Sequence, residues 1–215
     1  MACLFRTDRV HKTRTQGFTL VEVLVVAPMV ILMLGAIIAM VVNLSSSAMR
    51  AGAQASLQND VLLALDMIEQ DVRVSTGIAN STGTIVELNN LATSKNPFDA
   101  DRRLLNSTDC SVATEGVAAA SALKYTVRYQ ISGTKLERRP TFPSGCAQTS
   151  PNIWQTRENE QLIDVQTGGT LVMAVVKDTG SGARGLKVTI TATRVIAGEN
   201  VSFTGNVYAK SLNLQ

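Results

Sequence analysis

The sequence predicts an α+β fold, in which one long N-terminal helix is followed by an antiparallel β-sheet. Three observations support this prediction. A basic segment of 17 residues precedes an uncharged apolar run, apolar residues then recur at helical spacing, and the second half of the chain alternates apolar and polar residues. The helical patterns come first and the strand patterns follow, as in domains whose helices and strands are segregated along the chain.

The apolar run from Val23 to Val42 has twenty residues without a charged side chain. At about 1.5 Å per residue, a helix of this length spans the roughly 30 Å hydrocarbon core of a bilayer. The alternatives are a buried core helix and a secretory signal peptide, although signal peptides have shorter apolar cores. The basic residues before the run predict that the first segment stays in the cytoplasm and that the rest of the chain is exported.

The charge of the chain is concentrated at its beginning. Of the 20 basic and 17 acidic residues, four basic and one acidic precede Phe18, which leaves sixteen of each. This balance gives no support to nucleic-acid binding by the body of the protein, although a local basic patch stays open. The only histidine is His11, so removal of this segment would exclude Ser-His-Asp and Cys-His catalysis and His-ligated metal sites. Ser-Lys and paired-acid catalysis stay formally open, but we expect no enzyme, cofactor or metal site.

A carboxylate, Glu22, is the fifth residue of the apolar stretch that begins at Phe18, directly before the uncharged run. An ionised acid in lipid is costly unless it has a partner. Lys12 and Arg14 reach it only by snorkelling. If the chain is cut between Gly17 and Phe18, a new α-amine lies four residues before Glu22, where it can pair with the acid of a neighbouring copy. The acid would then be a contact between subunits.

The stretch "QGFTLVEVLVV" resembles the signature of type IV prepilins, which is a short basic leader ending in Gly, then Phe, an apolar stretch, and Glu at the fifth mature position. The resemblance implies that a membrane-embedded prepilin peptidase removes residues 1–17, cuts after Gly17 and N-methylates Phe18. It also implies that Glu22 is the assembly glutamate. The implied partners are this peptidase, other pilin or pseudopilin subunits and an inner-membrane assembly platform.

Pro28 departs from the pattern of this family. It occupies the eleventh mature position, whereas major pilins commonly have a proline near the twenty-second, which here is Ala39. Proline removes the backbone hydrogen bond to the carbonyl of Leu24, so we expect a kink in the helix. Membrane helices tolerate such a kink when they pack against neighbouring helices.

After the predicted membrane segment, residues 18–44, the helix is expected to continue in amphipathic form over residues 45–75. Apolar residues recur there at every third or fourth position, and Gly77 marks a stop. We expect the apolar stripe to pack on the sheet and the acidic residues to form a solvated face. The stripe consists of Leu57, Val61, Leu65, Ile68 and Val72. The other faces hold Asp60, Asp66, Glu69, Gln70, Asp71 and Arg73, and the four acids among them are expected to be solvated.

Residues 76–215 are predicted to form a β-rich head. Residues 123–131 alternate, "SGTK" turns the chain and "LERR" returns it, which predicts a hairpin. Residues 170–176 predict a buried strand, residues 186–193 a half-buried strand, and "VSFTGNVYA" a last strand after the turn "AGEN". Residues 76–122 show no regular pattern, and "NPFDADRR" within them is interpreted as a surface turn because it lacks the ligand register of a calcium loop.

Removal of the leader would leave two cysteines, Cys110 and Cys146. An even pair in an exported domain favours a disulfide. It would close a loop of about 37 residues and stabilise the fold by roughly 4 kcal/mol. Two buried free thiols are the alternative interpretation.

Three short stretches resemble a narrower group, the large minor pilins and minor pseudopilins of the W type and of the J type of type II secretion. They are "LALDMIEQDVRVSTGI", "LKYTVRYQISGTKLERR" and "FTGNVYAKSLN". The resemblance implies a minor subunit, first held in the cytoplasmic membrane by a single pass and then incorporated at or near a filament tip. The alternatives are a membrane-anchored binding protein that never polymerises and an exported enzyme.

Overall fold

The structure is a computed structural model, and it describes residues 19–82, 84–96, 99, 101–108, 110–112, 121–143, 159–177 and 185–211. One helix, α1, comprises Leu20–Val74, and eight strands follow it in these residues. The strands are β1 (Ser75–Thr82), β2 (Ile85–Leu91), β3 (Lys124–Ser132), β4 (Lys135–Thr141), β5 (Glu160–Asp164), β6 (Thr170–Lys177), β7 (Gly185–Ile196) and β8 (Glu199–Lys210).

The chain forms two compact units, Met1–Ser47 and Ala48–Gln215. In the first unit, each large apolar side chain between Leu20 and Leu44 is at least 45% exposed. The helix is continuous through Pro28, so the proline does not divide it. The first unit therefore contributes an apolar helix whose side chains are not part of a core.

In the second unit, the second half of α1 packs its apolar stripe into the core. All five residues predicted for the stripe are buried, together with Ala64. Gly205 on β8 lies against this stripe, because a β-carbon there would stand 2.7 Å from Cδ1 of Leu65 and 3.0 Å from Cγ1 of Val61. Glycine thus allows β8 to approach the helix closely. The helix ends at Val74, within one residue of the predicted end.

The strands form two antiparallel sheets rather than a single one. A five-stranded sheet has the order β1-β2-β3-β4-β5, and a three-stranded sheet has the order β6-β7-β8. Both predicted hairpins are confirmed. The β3–β4 turn contains Gly133 with φ of 62°, and the β7–β8 turn places Ala197 and Gly198 at φ of 51° and 79°. Two successive positive φ angles are the signature of the tight turns that suit a hairpin.

Strands β1 and β2 lie in the region where the sequence shows no regular pattern. β1 consists of Ser, Thr, Gly, Asn and Ala, with Ile78 as its only large apolar residue. It has no apolar alternation to detect, and its pairing with β2 establishes it as a strand. The interpretation of residues 76–122 as irregular is therefore wrong for β1 and β2, because partners elsewhere in the chain outweigh local preference.

The prediction of a buried strand at residues 170–176 is correct for the strand and wrong for its burial. Of the eight residues of β6, only Met173 is buried, and Val172 and Val176 are 57% and 63% exposed. β6 is at one edge of the three-stranded sheet, and one face of that sheet points away from the core. A run of apolar residues does not distinguish such a strand from a fully buried one.

Candidate functional site

The candidate assembly site lies in the first turn of α1. The backbone N–H of Glu22 donates to Oγ1 of Thr19 at 3.3 Å. In return, Oε2 of Glu22 accepts bonds from the Thr19 hydroxyl at 3.3 Å and from the Thr19 backbone N–H at 3.4 Å. This reciprocal pair is a capping box, which satisfies free N–H groups at the start of a helix. The sequence signal of this capping box is Thr-x-x-Glu before an apolar run. From the sequence, we considered Glu22 only as an acid next to lipid and therefore did not predict the capping box.

Within the described part of the chain, the side chain of Glu22 contacts Thr19 and no cation. Its acidity suits this position, because the N-terminal end of a helix carries a partial positive charge. Gly17 and Phe18, the predicted processing residues, lie outside the described residues. The cut between them, and the pairing of the new amine with Glu22, therefore stay predictions.

The apolar part of α1 is the one helix, among the residues that the structure describes, that is long and apolar enough to cross a membrane. No residue in the most apolar stretch of this helix is buried inside the protein. The predicted span from Val23 to Val42 lies inside this helix. The described residues therefore contain one candidate membrane span near the N-terminus, and Glu22 directly precedes its predicted part from Val23 to Val42.

The second unit contains another acidic site, which is a buried ion pair between α1 and the five-stranded sheet. Asp71 of α1 accepts hydrogen bonds from Nε of Arg138 at 2.8 Å and from Nη2 of the same residue at 3.3 Å. The hydroxyl of Tyr129 also donates to Asp71. Asp71 and Arg138 are 9% and 5% exposed, and Tyr129 is fully buried. The prediction that Asp71 belongs to a solvated face is therefore wrong.

The surroundings of Tyr129 and Arg138 determine the protonation states of these two side chains. Burial raises the pKa of Tyr129 well above its ordinary value, and the charge of Asp71 raises it further. Burial alone lowers the pKa of Arg138, but its hydrogen bonds to Asp71 and the charge of Asp71 outweigh this effect and raise the pKa overall. The phenol is neutral and the guanidinium charged near neutral pH, so neither exchanges protons as a general acid or base would.

The buried ion pair joins two of the stretches that resemble minor pilins. Asp71 belongs to "LALDMIEQDVRVSTGI", and Tyr129 and Arg138 belong to "LKYTVRYQISGTKLERR". The two stretches supply groups that are 58 and 67 residues apart in the chain. Bonds from β3 and β4 to one carboxylate of α1 fix the position of the helix along the five-stranded sheet.

A second link connects the helix with both sheets. Nη2 of Arg194 on β7 donates to Oδ2 of Asp60 at 2.8 Å and to the backbone carbonyl of Asp164 at 2.7 Å. Asp60 belongs to α1, and Asp164 is the last residue of β5. Asp60, which was predicted on the solvated face of the helix, keeps 30% of its side chain exposed and also pairs with a cation of the sheet.

Of the two cysteines predicted to pair, the structure describes Cys110. Cys110 is 4% exposed and has a positive φ of 56°. Cys146 lies outside the described residues, so the pairing of the two stays a prediction. Within the described ranges, no group of three or more His, Cys, Asp or Glu side chains is placed to hold a metal ion.

No protein-family model matches this chain, and no curated protein or solved structure matches it significantly. The resemblance to type IV prepilins therefore depends on the quoted residues and their arrangement.

Proposed function

We propose that this chain is a minor pilin or pseudopilin subunit. Prepilin peptidase would cut it between Gly17 and Phe18, and it would be incorporated at or near the tip of a type IV pilus or type II secretion pseudopilus. The observation that carries the proposal is Glu22. It is an acid at the start of the candidate membrane span, and its contacts among the described residues come only from Thr19 in its own turn.

The capping box leaves the carboxylate able to accept a stronger partner. Its bonds from Thr19 are 3.3 and 3.4 Å long and come from neutral donors. A cationic amine forms a shorter, charge-assisted bond, which gains further strength where the dielectric constant is low. The N-methylated amine of Phe18 on a neighbouring subunit would be such a partner, so cleavage would create the group that the acid needs.

The rest of the molecule would have two tasks. The exposed apolar side chains of the first unit would contact lipid before assembly and the helices of other subunits after it. The head would be exported and would contact a surface or substrate at the filament tip. This assigns the protein to the cytoplasmic membrane as a single-pass protein, and then to a filament in the periplasm or at the cell surface, without cofactor or catalysis.

One observation favours a second candidate function, a membrane-anchored binding protein that never polymerises. Because the capping box already satisfies Glu22 within its own turn, the acid needs no neighbour merely to cap the helix. This alternative predicts that the leader is retained. It also predicts that Glu22→Ala weakens only the helix start.

Intact mass of the protein purified from membranes tests the proposal. We expect the mass of the chain without residues 1–17, plus one methyl group. A Gly17→Ile variant is the control for the uncut protein, because a bulky side chain before the cut should block processing. A full-length mass for the wild-type chain would contradict the filament-subunit proposal.

Export of the head also leads us to propose a disulfide between Cys110 and Cys146. Peptide mapping without reductant should recover the two cysteines in one linked peptide pair. Alkylation of both thiols in the exported protein, without prior reduction, would contradict this pairing.

A further inference from the structure

A groove borders the second half of α1 on the side of the edge strand β5. Its volume is about 300 Å³, and both elements line it. The apolar part of the lining includes Leu63, which is 60% exposed. Two carboxylates border this apolar surface. The lining that matters here consists of Leu63, Met67 and Leu162 with Asp66 and Glu160, and we name it the acidic groove.

The two carboxylates of the acidic groove differ from the other acids of this part of the helix. Those others each pair with a cation, and the pairs are Asp60–Arg194, Glu69–Arg73 and Asp71–Arg138. Asp66 accepts a hydrogen bond from Nε2 of Gln70 at 2.8 Å, and neither it nor Glu160 has an ion-pair partner among the described residues. The groove therefore combines exposed apolar surface with negative charge that the described fold does not neutralise.

The outer face of the three-stranded sheet also has exposed apolar side chains, but beside them it has a positive charge, which is complementary to the negative charge of the acidic groove. Val172 and Val176 on β6 are exposed, and Val176, Lys187 and Tyr208 are consecutive partners across β6, β7 and β8. Lys187 is exposed and forms no ion pair within the described part of the chain. We name Val172, Val176 and Lys187 the basic strip.

We propose that the basic strip of one copy of this chain docks in the acidic groove of a second copy. Burial of valine side chains against Leu63, Met67 and Leu162 would supply the attraction, and Lys187 would neutralise the carboxylates and fix the orientation. The contact joins two different surfaces, so it is head-to-tail and extends into a helical array unless it closes into a ring.

This inference rests on the proposed function, because a filament subunit meets copies of itself in one membrane. A shared membrane raises the effective concentration of the heads, which adds to the affinity that the contact has in solution. It also implies that more than one copy enters each filament.

Self-association of the purified full-length chain in detergent tests the inference by analytical ultracentrifugation at low salt. We expect concentration-dependent association of the wild type. Asp66→Lys/Glu160→Lys and, separately, Lys187→Glu should each weaken it by at least about tenfold, because like charges then face each other. Glu87→Lys/Asp99→Lys is the matched control for the first variant, since it makes the same charge change at sites away from the acidic groove, and it should associate as the wild type does.

A mixture of the two interface variants provides the decisive result. Each mixed contact joins opposite charges, so the mixture should associate more strongly than either variant does alone. Raised salt should weaken the wild-type contact. A monomeric wild type, or interface variants that associate normally, would overturn the inference. Leader processing does not enter this measurement, so its failure is distinguishable from failure of the proposed function.

Discussion

Two carboxylates of the same helix, Glu22 and Asp71, have opposite surroundings. Asp71 is 9% exposed and receives bonds from a guanidinium at 2.8 and 3.3 Å and from a buried phenol. Glu22 is exposed and receives two bonds of 3.3 and 3.4 Å from Thr19 alone, as far as the described residues extend. The partners of Asp71 come from distant strands that the fold brings to the helix. The partner of Glu22 is a residue of the same helical turn.

Under the proposed function, this difference separates an acid that stabilises the fold from one that can pair with a neighbouring subunit. Removing a partner from a buried pair leaves an uncompensated charge in the core. An acid at the beginning of an apolar helix can instead exchange weak local donors for a cation that arrives later. The comparison explains why we assign a structural role to Asp71 and an intermolecular role to Glu22.

The largest expected effect comes from breaking the buried ion pair of Asp71 and Arg138. Asp71→Ala should lower the free energy of unfolding by about 3–5 kcal/mol, because it leaves the buried Arg138 unpaired. The matched control is the double variant Asp71→Leu/Arg138→Met, which removes both charges and should lose far less stability. Urea unfolding of the full chain in detergent measures both. Equal losses for the single and double variants would contradict a role as an ion pair.

The elements that the sequence predicts correctly are those governed by local chemistry. The stripe from Leu57 to Val72 follows from spacing, and the hairpins at Gly133 and Gly198 follow from turn residues. The capping box of Thr19 and Glu22 could also have been predicted, from the Thr-x-x-Glu spacing before the apolar run. The division into two sheets and the pairing of Asp71 with Arg138 could not be predicted, because they depend on contacts between residues far apart in the chain.

A smaller effect is expected at alkaline pH. Burial, reinforced by Asp71, raises the pKa of Tyr129 in the folded state, so above about pH 10 the unfolded chain releases a proton that the folded chain retains. The contribution of Tyr129 to stability should therefore be constant below that pH and fall as the pH rises further. Tyr125 adds to the fall, because its pKa is also raised by burial.

Urea unfolding as a function of pH measures this dependence. Tyr129→Phe should flatten the fall above pH 10 relative to wild type, whatever its effect on stability at neutral pH. An unchanged slope in this variant would show that Tyr129 does not titrate with unfolding.

The smallest effect concerns the local partner of the other acid. Thr19→Val removes the hydroxyl that caps α1 and should cost about 1 kcal/mol of local stability at the helix start. Thr19→Ser is the control, because it keeps the hydroxyl. Hydrogen exchange at the backbone N–H of Glu22 in detergent should be faster in the valine variant only. Equal exchange in both variants would mean that the capping box does not hold Glu22.

Recruitment of a Glu22→Ala variant into filaments tests the central claim most directly. Leader removal and the amount of protein in the membrane should match the wild type, with intact mass as the check on processing. Because the amine of Phe18 would then lack its carboxylate, we expect recovery in sheared filaments to fall at least about tenfold, the change that about 1.4 kcal/mol of lost pairing produces. Wild-type recovery of a fully processed Glu22→Ala protein would contradict the claim that this acid joins the subunits.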